Sequence, residues 1–182
     1  YWDIKLPVAV FRGSTTGVGL TVSTNQRMHL CNMAHPHLDA KATSHSNRIS
    51  YCPIEQRVGR KTHMPASRSN YMSLKDQQEA YKYTICVDGH SAPDRLGSLL
   101  RGHQCILKVD APKHALGEQS WLTDFIFPWE HYIPVKHDMS DLYDQIEWAV
   151  KHDQRCQQLC ENCSALHKRV MNMDSIQSWW HM

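Results

Sequence analysis

Residues 82–109 read KYTICVDGHSAPDRLGSLLRGHQCILKV, and this stretch decides the fold. Tyr83 to Val87 is short, apolar and rich in β-formers, so it reads as a buried strand. Asp88-Gly89-His90-Ser91 is a polar turn, and Pro93 stands where the first turn of a helix tolerates a missing N–H. Leu96, Leu99 and Leu100 recur at helical spacing, and Cys105 to Val109 is a second apolar run. Strand, turn, helix and strand over so few residues form a βαβ unit, and such units build parallel sheets.

Working towards the N-terminus, Ser73 with Asp76 three residues on resembles a capping arrangement for a helix running to about Tyr81. Residues 35–72 are polar and without clear period, and are expected to be irregular. Their basic residues Arg57, Arg60, Lys61, His63 and Arg68 lack interleaved aromatics and read as a solvated loop rather than a phosphate patch. Leu6 to Phe11 predicts a strand that delivers Arg12-Gly13-Ser14 to a Gly-bearing loop ending at Gly19. Thr24 is the expected cap of a helix over about 25–34.

Towards the C-terminus, a short helix is expected near 118–126, followed by a brief strand bracketed by Pro128 and Pro134. Trp129, Tyr132, Ile133 and Val135 read as core. Ser140 is the expected cap of a helix whose Leu142, Ile146, Ala149 and Val150 share one face, with Asp141, Asp144, Glu147 and Lys151 outward. Further helices are expected over about 154–171 and 175–180.

The chain has 182 residues, 20 basic against 18 acidic, and 41% hydrophobic side chains. That balance suits a packed domain, or half of a two-domain protein, and gives no general attraction to nucleic acid or acidic membranes. No run approaches the roughly 20 apolar residues of a membrane helix. The first residues lack the apolar segment of a signal peptide, so the chain reads as soluble; its start at Tyr1 suggests a piece of something longer.

Seven cysteines are an odd number in a chain too long for a disulfide scaffold. Cys86 and Cys105 lie within the predicted strands and read as buried thiols. Cys156, Cys160, Cys163 and His167 have zinc-binding chemistry, yet along a helix the first and last lie roughly 16 Å apart, too far for one ion. They read as a core-facing stripe. His35-Pro36-His37, near His29 and Cys31, reads as a polar loop. The Asn162-Cys163-Ser164 sequon falls on a predicted helix and reads as incidental.

The sequence has no P-loop, no G-x-S-x-G elbow, no H-E-x-x-H and no D-x-D pair. Two turns can instead grip an anion. Arg12-Gly13-Ser14 offers a guanidinium, a close backbone approach and a hydroxyl. Asp88-Gly89-His90-Ser91 leads into a helix N-terminus whose free N–H groups favour anions, with Arg95 beside it.

With these turns, the ordered stretch from Trp2 and Pro7-Val8-Ala9-Val10-Phe11-Arg12-Gly13-Ser14 through Lys82-Tyr83, Asp88-Gly89, Arg95-Leu96 and Ile106-Leu107-Lys108 resembles glycosyltransferase family 90. This is the capsule-associated family that includes Rumi-type protein O-glucosyltransferases. The resemblance continues through the segment from Pro128 to Lys136, Ser140-Asp141-Leu142 and Trp148-Ala149. The loop from Thr15 to Arg27 looks most like members carried by large DNA viruses.

The resemblance implies an α/β, Rossmann-like parallel sheet forming the C-terminal, donor-binding half of a GT-B enzyme. On this reading residues 1–182 form one nucleotide-sugar-binding domain, irregular near 35–72 and helical over 139–182. Arg12, Gly13 and Ser14 would contact the nucleotide-sugar, Asp88, Gly89, His90 and Ser91 would line it, Arg95 would stabilise the departing diphosphate, and Lys108 would assist. The implied partners are a UDP-sugar donor, a protein or glycan acceptor, and a missing N-terminal half carrying the base of an inverting reaction. No permanently bound cofactor is implied, and help from a divalent metal is left open. The compartment would be the secretory lumen for a cellular member, and the host cell or virion for a viral one. Pro93-Asp94 and Thr15 depart from the family pattern, bringing a carboxylate to the phosphate site and removing a second Arg. A non-catalytic interaction module that keeps the fold, such as a virion component, is the competing reading.

Overall fold

A computed structural model describes residues 1–45, 65–90, 95–111 and 121–172. Its centre is the pair of strands read from the apolar runs, β3 (Tyr81–Cys86) and β4 (Cys105–Val109). They run parallel, with Tyr83 opposite Cys105 and Cys86 opposite Lys108. Beside β3 lies β1 (Leu6–Ser14), and beyond it β2 (Leu38–Ser44); β5 (Tyr132–Val135) pairs with β4. The order β2-β1-β3-β4-β5, all parallel, is a Rossmann-like α/β sheet. Parallel strands are covered on both faces, which is why β3 and β4 read as almost unbroken apolar runs.

Helices α1 (Gln26–Asn32), α2 (Leu74–Ala80), α3 (Leu96–Arg101), α4 (Leu142–Lys151) and α5 (Asp153–Val170) supply that cover. On one face Leu30, Leu142, Ile146 and Ala149 close over Phe11, Tyr83, Ile85, Leu107 and Ile133. On the other, Leu96, Leu99 and Leu100 close over Cys86 and Ile106. Helix α5 serves both cores, giving Cys156, Leu159 and Cys160 to the first and Cys163, Leu166 and Val170 to the second. The cysteine stripe is therefore core, as its helical spacing implies. No helix among the described residues is long and apolar enough to cross a membrane.

Several boundaries differ from the sequence reading. Residues 38–44, inside the stretch expected to be irregular, form the edge strand β2, in which Ala42 alone is fully buried. An edge strand with so little burial has no alternation to detect. Arg12-Gly13-Ser14 forms the last three residues of β1 rather than the turn after it. The cap of α1 is Asn25, whose side chain accepts from the Met28 N–H, while the Thr24 hydroxyl accepts from the Thr21 N–H. Ser140 caps nothing: Asp141 precedes α4 without a side-chain cap bond, its Oδ1 taken by the Lys136 N–H. Trp129 is 39% exposed rather than core, because a positive φ of 62° turns it out against the edge of Trp148. Ile133 and Val135 are fully buried as expected. The short helix near 118–126 is a 3-10 turn over Trp121–Phe125 within the described residues. Arg57, Arg60, Lys61, His63, Cys52, Ser91, Pro93, Asp94 and the 175–180 helix lie outside the described residues.

Candidate anion site at the carboxyl ends of β1 and β3

The chain leaves β1 for β2 on one side and later returns to β3 on the other. The carboxyl ends of β1 and β3 thus flank the sheet's topological switch point, where open α/β sheets leave a crevice for ligands. The two turns picked out in the sequence sit on its two lips, Arg12-Gly13-Ser14 on β1 and Asp88-Gly89-His90 just past β3.

Arg27, on the first turn of α1, holds the lips together. Its Nη1 donates to the Ser14 carbonyl (3.3 Å) and the Thr16 hydroxyl (2.6 Å). Its Nε and Nη2 donate to the carbonyls of Asp88 (3.0 Å) and Val87 (3.1 Å). A cation in a helix's first turn opposes the helix dipole, so its position there reflects these tertiary bonds. That misplaced charge was the available signal in the sequence, which otherwise gave Arg27 no role. Burial, and next the like charge of Arg95, bring its pKa down to about 10, so the group stays cationic at neutral pH. His90 adds a second tie, its Nδ1 accepting from the Gly17 N–H at 3.3 Å.

Arg95 immediately precedes α3 and donates through Nη1 to the Arg12 carbonyl at 2.9 Å. The guanidiniums of Arg95 and Arg27 lie 5.9 and 5.8 Å from the centre of the Phe11 ring. Among the described residues neither has a carboxylate within ion-pair distance. Both glycines stand in close quarters. A Cβ on Gly13 would lie 2.9 Å from Phe11 Cζ, and one on Gly89 would lie 3.0 Å from Thr16 Oγ1 and 3.1 Å from Arg27 Nη2.

Arg12 is oriented differently from its neighbours. Its guanidinium is buried against β2, where Nη2 meets Asp39 Oδ2 at 2.5 Å and Nη1 donates to the carbonyls of Asp39 (2.6 Å) and Phe11 (2.9 Å). Asp39 also accepts from the Tyr81 hydroxyl at 3.0 Å and pairs with Lys41 at 3.2 Å. Burial pushes the Asp39 carboxyl up, but the Arg12 bond, then Tyr81 and Lys41, outweigh it and hold it below its ordinary value. Arg12 still borders a cavity of about 390 Å³ shared with Gly13, Ser14 and Arg95. Lys108, near the end of β4, has its ammonium 5.7 Å from the Tyr132 ring centre. Arg12, Gly13, Ser14, Asp88, Gly89, His90 and Arg95 thus gather at one end of the sheet, with Lys108 one strand further along.

A parallel sheet with a glycine-bearing strand end, a glycine-bearing turn and two guanidiniums beside its switch point is a Rossmann-like arrangement. Over residues 1–182 the sequence matches the family described as Glycosyl transferase family 90, and the chain belongs to that family. It is 33% identical over 181 residues to Uncharacterized protein 035R of Invertebrate iridescent virus 3, covering 96% of this chain and 16% of that protein. It is 34% identical over 169 residues to Uncharacterized protein 027R of Frog virus 3, covering 87% of this chain and 17% of that protein. Human Protein O-glucosyltransferase 1 is 27% identical over 183 residues, covering 98% of this chain and 41% of that protein. The chain therefore spans about a sixth of the length of these viral relatives and under half of the human one.

Proposed function

We propose that this chain is the donor-binding part of a glycosyltransferase that holds a UDP-sugar and transfers the sugar, with inversion, to a hydroxyl of a protein or glycan. The observation that carries the reading is Arg95, which borders the cavity beside Gly13 and Ser14 and has no carboxylate within ion-pair distance among the described residues, while the buried Arg27 adds its charge behind the two lips. As the sugar–oxygen bond breaks, negative charge grows on the departing diphosphate, so fixed cations there stabilise the transition state more than the ground state. Arg95 is the proposed leaving-group stabiliser, with Gly13, Ser14, Asp88, Gly89 and His90 lining the nucleotide and Lys108 assisting. The base that takes the acceptor's proton belongs to a segment of a longer parent outside these 182 residues.

The competing reading, an interaction module that keeps the fold without turnover, draws support from Arg12, whose charge is already matched by Asp39. Calorimetric titration of the chain with UDP, UDP-glucose and UDP-xylose, with and without Mn²⁺, decides between them. The donor-site reading expects micromolar UDP binding that weakens about tenfold or more in Arg95→Ala, the scale of one charge-assisted contact. A folded chain that binds none of the three, or an Arg95→Ala variant of unchanged affinity, overturns it.

A further inference from the structure

We propose that Asp88 recognises a vicinal diol of the nucleotide-sugar, an assignment that rests on the donor-site reading and deepens it. Asp88 lies two residues beyond β3, and its backbone is fixed: Arg27 donates to its carbonyl at 3.0 Å and to that of Val87 at 3.1 Å. Its side chain is in a different position. Asp88 is partly buried beside the end of β3, and no described residue donates a hydrogen bond to its carboxylate or pairs with it within 4.0 Å. A partly desolvated carboxylate without donors is costly, and burial pushes its pKa up against the opposing pull of Lys108 and Arg27.

The missing partner follows from this chemistry. An ionised carboxylate only accepts hydrogen bonds, so the group it meets must donate, and a phosphate would be repelled. Its two oxygens match two adjacent hydroxyls, as acidic residues do towards the ribose in other Rossmann-like sites. Arg95 serves the diphosphate and the carboxylate serves the neutral, hydroxylated part, so the two signs of charge set the ligand's register. Two diols of a nucleotide-sugar have this chemistry, that of the ribose and that of the transferred sugar.

The test titrates wild type, Asp88→Asn and Asp88→Ala with UDP, 2′,3′-dideoxy-UDP, UDP-glucose and inorganic pyrophosphate, with thermal melts to verify folding. Recognition of the ribose expects wild type to prefer UDP over the dideoxy analogue by about tenfold or more, a preference that disappears in Asp88→Ala. Recognition of the sugar expects the same loss in the preference for UDP-glucose over UDP. In either case pyrophosphate binds Asp88→Ala at least as tightly as wild type, because a like charge has been removed; a general loosening of the loop would weaken it. Asp88→Asn, which keeps one acceptor and the shape, falls between. UDP binding with both preferences absent in wild type, or intact in Asp88→Ala, overturns the diol assignment and leaves the donor site standing. No binding of UDP or pyrophosphate by folded wild type removes both.

Discussion

Arg12 has a partner that the sequence does not reveal. A guanidinium beside a glycine at a strand end is a sound phosphate candidate, but Asp39 lies 27 positions away on an edge strand with no periodic signal, so the pairing was invisible in the sequence. Replacing Asp39 with Asn leaves a buried guanidinium without its counter-charge, which should cost about 1–2 kcal/mol at neutral pH, below a fully buried pair because the carboxylate is partly open to solvent. The sign of the pH dependence follows from the lowered carboxyl. The stabilisation is fully present above the unfolded value of 3.8 and is lost as pH falls through the lower folded value. Urea unfolding between pH 2 and 7 should therefore show wild type and Asp39→Asn furthest apart above about pH 5 and converging in acid. A constant gap would mean that the pair's charge is not what stabilises it.

At the scale of the element, legibility followed burial and local hydrogen bonding. Strands β3 and β4 were readable because both faces are covered. Helix α2 was readable because Ser73 caps it within four residues, accepting from the Asp76 N–H while its hydroxyl donates to Asp76 Oδ2. Helix α1 was located but its cap was displaced by one residue, since Thr24 and Asn25 are both good caps and tertiary contacts chose between them. Asn25 Oδ1 caps the helix while its Nδ2 donates to the carbonyls of Thr15 and Gly19, so one buried side chain fixes both the helix and the loop after β1. Asn25→Ala should cost about 2 kcal/mol, above a surface cap, because buried carbonyls also lose their donor. Thr24→Ala, at an exposed position, should change stability by no more than about 0.5 kcal/mol. Equal losses in the two variants would contradict the observed cap.

At the scale of the whole molecule, the crevice depends on a sheet whose two cores share α5. The sequence located this helix and its buried stripe, but not that one half packs on each face, because helical period reports which residues are buried and not against what. The cysteines make the arrangement measurable. Cys105, Cys156 and Cys160 belong to the first core and Cys86 and Cys163 to the second, all at 4% exposure or less. Burial pushes the Cys86 thiol up to about 11 and that of Cys163 to about 12, so near pH 8 neither supplies thiolate while folded. A thiol-directed disulfide reagent at that pH should label none of these five in the native chain except through opening. Because α5 must leave both faces together, the five should become reactive in one phase, at a common rate set by opening and by urea concentration. Mass spectrometry of partially labelled protein should then show the two groups of cysteines advancing together. Release of Cys86 and Cys163 ahead of Cys105, Cys156 and Cys160 would instead mean that the α3 side opens independently, taking Arg95 and the β1/β3 crevice out of register while the rest of the sheet stays folded.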